Sequence, residues 1–262
     1  MRGLYAIYRK EMGQYFVSPI AYVVVGLFLI ASTLLFNIYL KGIMQEAQQM
    51  AMQGMQYGMP ESFDVPGQVM RQFFGVLTIV FLLFLPLLTM GLYADERKRG
   101  TMELLMTSPI TEMQIVLGKF FASLTLFVAM LLPTASYIVF MCLKSDPAPA
   151  WRVLLAGYAG VLLFGGSLLS FGLFLSSLTE SQIIAAAITY GGFLSLWVMD
   201  FGTQGSASIS GQLIQYLSVI RHYDDFSRGI IDTTAVVYYL SFIAFFVFLT
   251  VRSVDSMRWR RA

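Results

Sequence analysis

The sequence predicts an all-α polytopic membrane protein with six transmembrane helices, and three observations support that fold class. Of the 262 residues, 57% are hydrophobic and 12% are charged, whereas a water-soluble domain has about a quarter charged residues. The charges lie between long charge-free runs rather than within them. A helix needs roughly 20 apolar residues to cross about 30 Å of hydrocarbon, and most of these runs are that long. Such a composition excludes a soluble enzyme.

The predicted spans are residues 20–40, 72–92, 115–141, 153–176, 183–199 and 235–251. A further charge-free run, 201–220, starts with a polar and flexible segment, so it is not counted as a span. Pro86 and Pro133 interrupt the second and third spans, where neighbouring helices have to compensate for the lost hydrogen bonds. Residues 1–262 are therefore treated as a single transmembrane domain.

The basic residues predict the orientation of these spans. Six crossings place both termini on one side, and that side holds 11 of the 17 basic residues. By the positive-inside rule, both termini and the loop containing Arg97, Lys98 and Arg99 are predicted to be cytoplasmic. The net charge of +2, without a concentrated soluble basic patch, gives no reason to expect a nucleic-acid partner.

The first 19 residues are predicted to form an amphipathic helix in the cytoplasmic membrane interface. Apolar residues such as Leu4 and Ile7 recur at helical spacing, while Arg9 and Lys10 fall largely on another side of the helix. Ser18-Pro19 is expected to end this helix and redirect the chain into the bilayer. The alternative is an ordinary basic segment next to the membrane.

Residues 41–71 are predicted to form a long external loop that is rich in methionine. Closely spaced thioethers can bind Cu(I), which makes a set of four methionines the candidate ligands: Met50, Met52, Met55 and Met59. No His or Cys joins them in this loop, and flexible methionine commonly serves as adaptable packing against a partner or lipid. The packing interpretation is favoured, so no metal site is predicted.

Residues 201–232 are predicted to form an external re-entrant or interfacial helical hairpin before the last span. In this segment His222 is close to Asp224 and Asp225, a combination that metal sites and acid–base sites also use. Ordinary polar surface is the favoured interpretation of a single histidine with two acids in a solvated loop.

Residues 93–114 form the cytoplasmic region most relevant to function. Five consecutive charged residues, 95–99, lead through a glycine into a short helix that Ser108-Pro109 ends, and Thr111 is spaced to cap the next span. The charged face is expected to point to water, which leaves Leu104 and Leu105 to enter a hydrophobic groove of a partner. The alternative is a charged loop that only reflects the orientation rule.

Three segments resemble ABC-2 type transporter permeases, and the resemblance covers essentially the whole chain. Residues 95–109, followed by Gly118-Lys119, resemble that family's first coupling-helix region: Asp-Glu-Arg-Lys-Arg-Gly-Thr-Met-Glu-Leu-Leu-Met-Thr-Ser-Pro. The sequence Tyr8-Arg9-Lys10-Glu11 is similar to its elbow helix. Residues 225–232 are similar to the permease subunit of gliding-motility-associated ABC systems.

The resemblance implies a permease subunit of an ABC exporter in the bacterial inner membrane. It implies a pair of permeases, either two copies or this chain with a homologous one, and separate nucleotide-binding ATPase subunits that hold ATP and Mg²⁺. The chain contains no Gly-x-x-x-x-Gly-Lys-Ser/Thr motif, so no enzymatic activity or cofactor of its own is expected. An alternative function is a mechanical relay or assembly scaffold that acts on a periplasmic auxiliary protein without a transported substrate.

The resemblance also implies roles for individual residues. Coupling to the ATPase is expected of Asp95, Glu96, Arg97, Lys98, Arg99, Gly100, Thr101, Glu103, Leu104, Leu105 and Glu180. The elbow helix contributes Arg9, Lys10 and Glu11, and the external hairpin contributes Asp225, Arg228, Gly229 and Asp232. No catalytic residue is expected, since the spans lack the residue pairs used by intramembrane enzymes.

Overall fold

The computed structural model describes residues 2–57, 64–146, 148–202 and 218–259, and every regular element in those ranges is helical. The α-helices are α1 (Arg2–Val17), α2 (Pro19–Tyr57), α3 (Val65–Thr89), α4 (Gly91–Lys98), α5 (Thr101–Met106), α6 (Glu112–Leu131), α7 (Ala135–Lys144), α8 (Trp151–Leu178), α9 (Gln182–Gly202), α10 (Arg221–Ser227) and α11 (Thr233–Trp259). A 3₁₀ turn, Leu132–Thr134, joins α6 to α7. The predicted all-helical class is confirmed.

Five helical segments are long and apolar enough to cross a membrane: Pro19–Met52, Val65–Lys98, Glu112–Lys144, Trp151–Leu178 and Thr233–Met257. The remaining predicted span, 183–199, lies within α9. Counted over described residues alone, the uninterrupted apolar stretch of this helix is Gln182–Ser195, so α9 is not among the five. Multiple membrane-spanning helices are thus confirmed, whereas the count of six is not.

The bundle has two ends, which α8 separates. At its start, Val153 packs against Gly229; near its end, the carbonyl of Ser177 accepts a hydrogen bond from Arg97. Along a helix with a rise of about 1.5 Å per residue, these two contacts are roughly 36 Å apart. We call the end that holds Arg97 the basic end, because it carries Arg9, Lys10, Arg97, Lys98, Arg99, Lys119 and Arg252. The other is the opposite end.

Several predicted helix boundaries are confirmed. The first helix ends at Val17 and the next begins at Pro19, where the missing proline N–H would have no helical partner. Thr111 caps α6, and its side chain accepts a hydrogen bond from the Gln114 N–H at 3.4 Å. Pro133 interrupts the third span through the 3₁₀ turn. Pro86, in contrast, lies inside α3, which ends three residues later.

The predicted external loop 41–71 differs from the structure. Residues 41–57 continue α2, and α3 begins at Val65, so most of this range is helical. The cause is local composition, because Gln, Met, Ala and Glu are all good helix formers and no proline occurs between Lys41 and Pro60. Met50 and Met52 are exposed on α2. The Met55 side chain and all of Met59 lie outside the described residues.

The first helix packs along the first turns of α6. Gly118 permits this contact, because a Cβ there would lie 2.8 Å from the Cβ of Ile7. Farther along the same pair of helices, the Tyr8 hydroxyl donates to Thr125 Oγ1 at 3.2 Å. The close approach brings the side chains that follow Ile7 on α1 within reach of Lys119 on α6.

Replacing Gly118 by valine is expected to separate α1 from α6. Overpacking of a close contact costs about 1–3 kcal/mol, and the Ile7 side chain has to move for the new atoms to fit. The measurement is the thermal unfolding of the detergent-solubilised protein. Gly75→Val is the matched control, since no neighbouring atom lies within 4 Å of a Cβ at Gly75. Equal stability of the two variants would contradict the close packing of α1 on α6.

Candidate functional site

Two lysines and two glutamates from three helices meet inside the basic end. Lys119 of α6 places its Nζ 2.8 Å from Glu11 Oε1 of α1 and 3.0 Å from Glu96 Oε2 of α4. Lys10 of α1 forms a second ion pair with Glu96, and its Nζ lies 3.7 Å from Glu11 Oε1. We call these four side chains, Lys10, Glu11, Glu96 and Lys119, the charge cluster.

Three members of the charge cluster are removed from solvent. Lys119 is 0% exposed, Glu11 is 3% exposed and Glu96 is 6% exposed. A buried charge is costly unless it is paired and hydrogen-bonded. The two positive and two negative charges of the charge cluster cancel, and the Lys119 ammonium also donates to the Leu92 carbonyl at 2.6 Å. Lys119 therefore has two hydrogen-bond acceptors, Glu11 Oε1 and the Leu92 carbonyl, and a second carboxylate, that of Glu96, at ion-pair distance.

Lys10 is the member of the charge cluster that reaches solvent, with 41% of its side chain exposed. Burial of the remainder lowers its pKa, but the hydrogen bond and charge of Glu96, together with the charge of Glu11, outweigh that effect and raise the pKa above 10.5. A raised lysine pKa stabilises the fold at neutral pH, and this contribution is lost only as the pH rises through the raised value. The ammonium is accordingly charged under physiological conditions.

Tyr93 of α4 adds an aromatic ring to the charge cluster. The Lys119 Nζ lies 5.0 Å from the centre of this ring, within the range of a cation–π interaction. The tyrosine side chain is fully buried. Tyr93 and Glu96 lie one turn apart on the same face of α4, so this face contacts Lys119 twice, through the carboxylate and through the ring.

Sequence reasoning missed the charge cluster, although one signal pointed to it. Glu96 was expected on a charged face that points to water, and that expectation is wrong because its carboxylate turns inward to two lysines. Lys119 enters the sequence analysis as a basic residue on the cytoplasmic side and in the Gly118-Lys119 pair after the coupling region, without a buried role. Its position inside the predicted span 115–141 was the available signal, since an ionisable residue in a span indicates a buried partner.

Helices α3 and α4 meet at Met90, whose backbone is helical and whose N–H donates to the Pro86 carbonyl at 2.9 Å. One hydroxyl contacts backbone groups at this junction: Ser176 of α8 donates to the Met90 carbonyl at 3.0 Å and accepts from the Tyr93 N–H at 3.2 Å. The Ala94 N–H is also close, with 3.4 Å between its nitrogen and the Ser176 oxygen. Buried backbone groups need such partners, so α8 holds the start of α4 in place.

Arg97 connects α4 to the end of α8 and to the short segment between α8 and α9. Its guanidinium donates to the Ser177 carbonyl at 2.9 Å and to Glu180 Oε1 at 3.0 Å. Asp95, two residues earlier, accepts a hydrogen bond from the Gln182 side chain. The structure therefore brings together Arg97 and Glu180, two residues for which sequence analysis predicted a shared role.

The remaining predicted coupling residues surround a short projecting helix. Lys98 and Arg99 are exposed, and Gly100 has a positive φ of 70°, which a glycine adopts without strain and which ends α4. On α5, Met102 is buried whereas Leu104 is 73% exposed. The other residues of the set lie around them: Thr101 donates to the Glu96 carbonyl, Glu103 is exposed and Leu105 packs partly on the core.

A cleft of about 380 Å³ lies beside this helix. It is open to the surface of the basic end and is bordered by α4, α5, the end of α8 and the end of α11. Its lining residues are Arg97, Gly100, Met102, Glu103, Ser177, Leu178, Glu180, Ser253, Ser256 and Met257.

At the opposite end, the predicted hairpin residues have local structural contacts. Arg228 pairs with Asp224 at 2.6 Å, and the Asp225 carbonyl accepts from the Ile230 N–H at 3.0 Å. Gly229 has a φ of 84°, and Asp232 caps α11 by accepting from the Thr234 N–H at 3.0 Å. The part of the predicted hairpin at 203–217 lies outside the described residues.

The His222 side chain packs against an aromatic residue of α11 and contacts a backbone carbonyl. Its ring stacks on Tyr238 with 4.0 Å between centroids, and its Nδ1 lies 2.9 Å from the Ser218 carbonyl oxygen. Within residues 2–57, 64–146, 148–202 and 218–259, no group of three or more His, Cys, Asp and Glu side chains is placed to hold a metal ion.

The family model of the ABC-2 family transporter proteins matches residues 5–254 of the chain. This match includes all four members of the charge cluster, α4, α5 and most of α11. No curated protein matches the sequence significantly.

Replacing Ser176 by alanine is expected to lower the stability of the protein by loosening the junction of α3 and α4. The Met90 carbonyl and the Tyr93 N–H would lose a buried partner, at a cost of about 1–3 kcal/mol. The control is Ser170→Ala in the same helix, because the Ser170 hydroxyl donates to a carbonyl of its own helix. Thermal unfolding compares the two. A Ser176→Ala variant as stable as Ser170→Ala would show that this hydroxyl does not hold α4.

Replacing Lys119 by methionine is expected to destabilise the protein strongly. The change leaves two buried carboxylates with Lys10 alone, and removal of one partner from a buried ion pair costs about 3–5 kcal/mol. Lys98→Met, which removes an exposed lysine of α4, should change the unfolding free energy by less than about 0.5 kcal/mol. The account of the buried charges fails if both variants unfold at the wild-type temperature.

Proposed function

The chain belongs to the ABC-2 family of transporter proteins, and we propose that it is the permease subunit of an ABC transporter whose α4–α5 unit couples it to a separate ATPase subunit. The observation that carries this proposal is Leu104, which is exposed on the short helix α5. The preceding helix, α4, is held in place by contacts with other helices. An apolar side chain presented on such a helix suits the hydrophobic groove of a partner. ATP and Mg²⁺ would be bound by that partner.

The anchoring of α4 supports a mechanical role for this surface. Four separate helices contact α4 through polar side chains: α1 and α6 through the charge cluster, α8 through Ser176 and α9 through Gln182. A displacement of α5 by an ATPase would act on all of them through α4. In this proposal Glu96 acts from inside the protein, while Glu103, Lys98 and Arg99 are available at the surface.

We further propose six crossings with both termini in the cytoplasm of a bacterium. Gln182 contacts Asp95 at the basic end, whereas the Val219 carbonyl accepts from the Tyr239 hydroxyl at the opposite end. The chain between them passes from one end of the bundle to the other, which supports a crossing in addition to the five apolar segments. The basic end would face the cytoplasm by the positive-inside rule, and α1, with Arg9 exposed on it, would lie near its surface as an elbow helix.

A pair of permeases, acting in export, completes the proposal. The helices α2 and α11 carry exposed apolar residues on their outer faces, including Val23, Leu27, Val237 and Leu240. Lipid or a second permease, either a copy of this chain or a homologous one, would cover these faces. Export agrees with the resemblance of residues 95–109 to coupling regions of such transporters.

One observation favours the alternative in which the protein relays force to a periplasmic partner. A cleft of about 670 Å³ at the opposite end is lined by apolar side chains and by charged side chains of both signs. It is lined by Leu40, Met44, Asp64, Val65, Pro66, Phe140, Met141, Lys144, Ser145 and Asp146. A periplasmic auxiliary protein could dock in this cleft, so capture of such a protein, without any transported substrate, would favour the relay.

Replacing Leu104 by glutamate is expected to prevent docking of the ATPase without unfolding the permease, because the side chain is exposed. A charge in the centre of an apolar contact weakens binding by about 2 kcal/mol or more, roughly thirtyfold. The measurement is copurification of the ATPase with tagged permease from the native membrane. Ile231→Glu is the matched control, since it makes the same change at an exposed site of the opposite end. Undiminished recovery of the ATPase with Leu104→Glu would contradict the proposal.

A further inference from the structure

Among the residues that the structure describes, the charge cluster is the one place where buried charges join α4 to other helices. Glu96 is the contribution of α4, and its two oxygens face different partners: Lys10 on α1 and Lys119 on α6. Glu11, in contrast, sits on α1 and pairs with Lys119, so it connects α1 to α6 without involving α4. The two glutamates are therefore chemically alike but connect different helices.

We propose that the charge cluster is a transmission element in which Glu96 ties the α4–α5 unit to α1 through Lys10 and to α6 through Lys119. This inference rests on the proposed function, since it assigns a path for movement that begins at α5. Glu96, Lys10 and Lys119 are positioning residues that act through the helices they join. Glu11 keeps the charges balanced and holds α1 on α6.

The physical reason is that this connection resists sliding. Apolar side chains can shift past one another with little change in energy, whereas Glu96 cannot leave its lysines without exposing a bare carboxylate to a buried environment. The exposed fraction of Glu96 is 6%, so water offers little compensation. A movement of α4 is therefore expected to carry α1 and α6 with it rather than to separate the ions.

The other polar contacts of α4 differ from the charge cluster in burial and charge. The contacts of α4 with α8 and α9 are hydrogen bonds of Ser176, Arg97 and Gln182, and Arg97 and Gln182 are partly exposed. The charge cluster is the buried ionic link of α4 among the described residues.

Four double variants separate transmission from simple stability. Each replaces one lysine by methionine and one glutamate by glutamine, so every variant removes one positive and one negative charge and leaves the cluster neutral. Lys10→Met/Glu11→Gln retains the Lys119–Glu96 pair, and Lys119→Met/Glu11→Gln retains the Lys10–Glu96 pair. Lys10→Met/Glu96→Gln and Lys119→Met/Glu96→Gln retain pairs that involve Glu11 and leave α4 without an ionic link to α1 or α6.

The first measurement is the ATPase rate of the complex assembled from each variant and the copurifying ATPase subunit, relative to the rate of that subunit alone. The two variants that lack Glu96 should lose the effect of the permease on this rate by about tenfold, within the usual range of coupling between sites. The two that lack Glu11 should retain most of it. Grouping by glutamate is the expected result, and grouping by lysine or equal behaviour of all four variants would overturn the inference.

A second measurement uses the permease alone and stays decisive if no ATPase is captured. Spin labels are attached to cysteines that replace Gly13 on α1 and Lys98 on α4, both exposed, after the single native Cys142 is changed to serine. A Cβ at Gly13 meets no atom within 4 Å, so the label fits. The distance distribution between the labels should be broader in the variants that lack Glu96 than in those that lack Glu11. Equal widths would overturn the inference even if Leu104 proves to bind the ATPase.

Discussion

The burial of Lys119 is the constraint on which the arrangement of the basic end depends. A lysine that is 0% exposed needs anionic partners and hydrogen-bond acceptors. Glu11, Glu96 and the Leu92 carbonyl meet that need, and they come from α1, α4 and the first turn of α4 respectively. The position of α1 on α6 and the inward face of α4 both follow from satisfying this one side chain.

Other features of the same region serve that arrangement. Gly118 has no side chain that would keep α1 away from α6. The next residue, Lys119 of α6, pairs with Glu11 of α1. Ser176 hydrogen-bonds to backbone groups at the junction of α3 and α4. The outer side of the unit is different in character, because Leu104 is exposed beside a polar cleft. The α4–α5 unit thus has an exposed apolar residue suited to a partner on its outer side and the buried charge cluster on its inner side.

Local sequence signals predicted the helical class, the break at Ser18-Pro19, the cap at Thr111 and the position of α5, since each depends on neighbouring residues. The length of α2 was missed because a methionine-rich and glutamine-rich segment appeared too polar for a span yet favours helix. The charge cluster was missed for another reason. Glu11, Glu96 and Lys119 are far apart in the chain, and the direction in which Glu96 points is decided by tertiary contacts rather than by the helical pattern around it.

Membership in the ABC-2 family and the geometry of the basic end lead to one central claim, that α1, α4 and α6 move as one unit when a partner displaces α5. The most direct measurement is a pair of structures of the assembled complex, without nucleotide and with bound ATP. The account predicts that the Lys119–Glu96 and Lys10–Glu96 ion pairs are closed in both states while α4 and α1 shift together. Opening of either pair between the two states, with α4 moving and α1 staying in place, would contradict it.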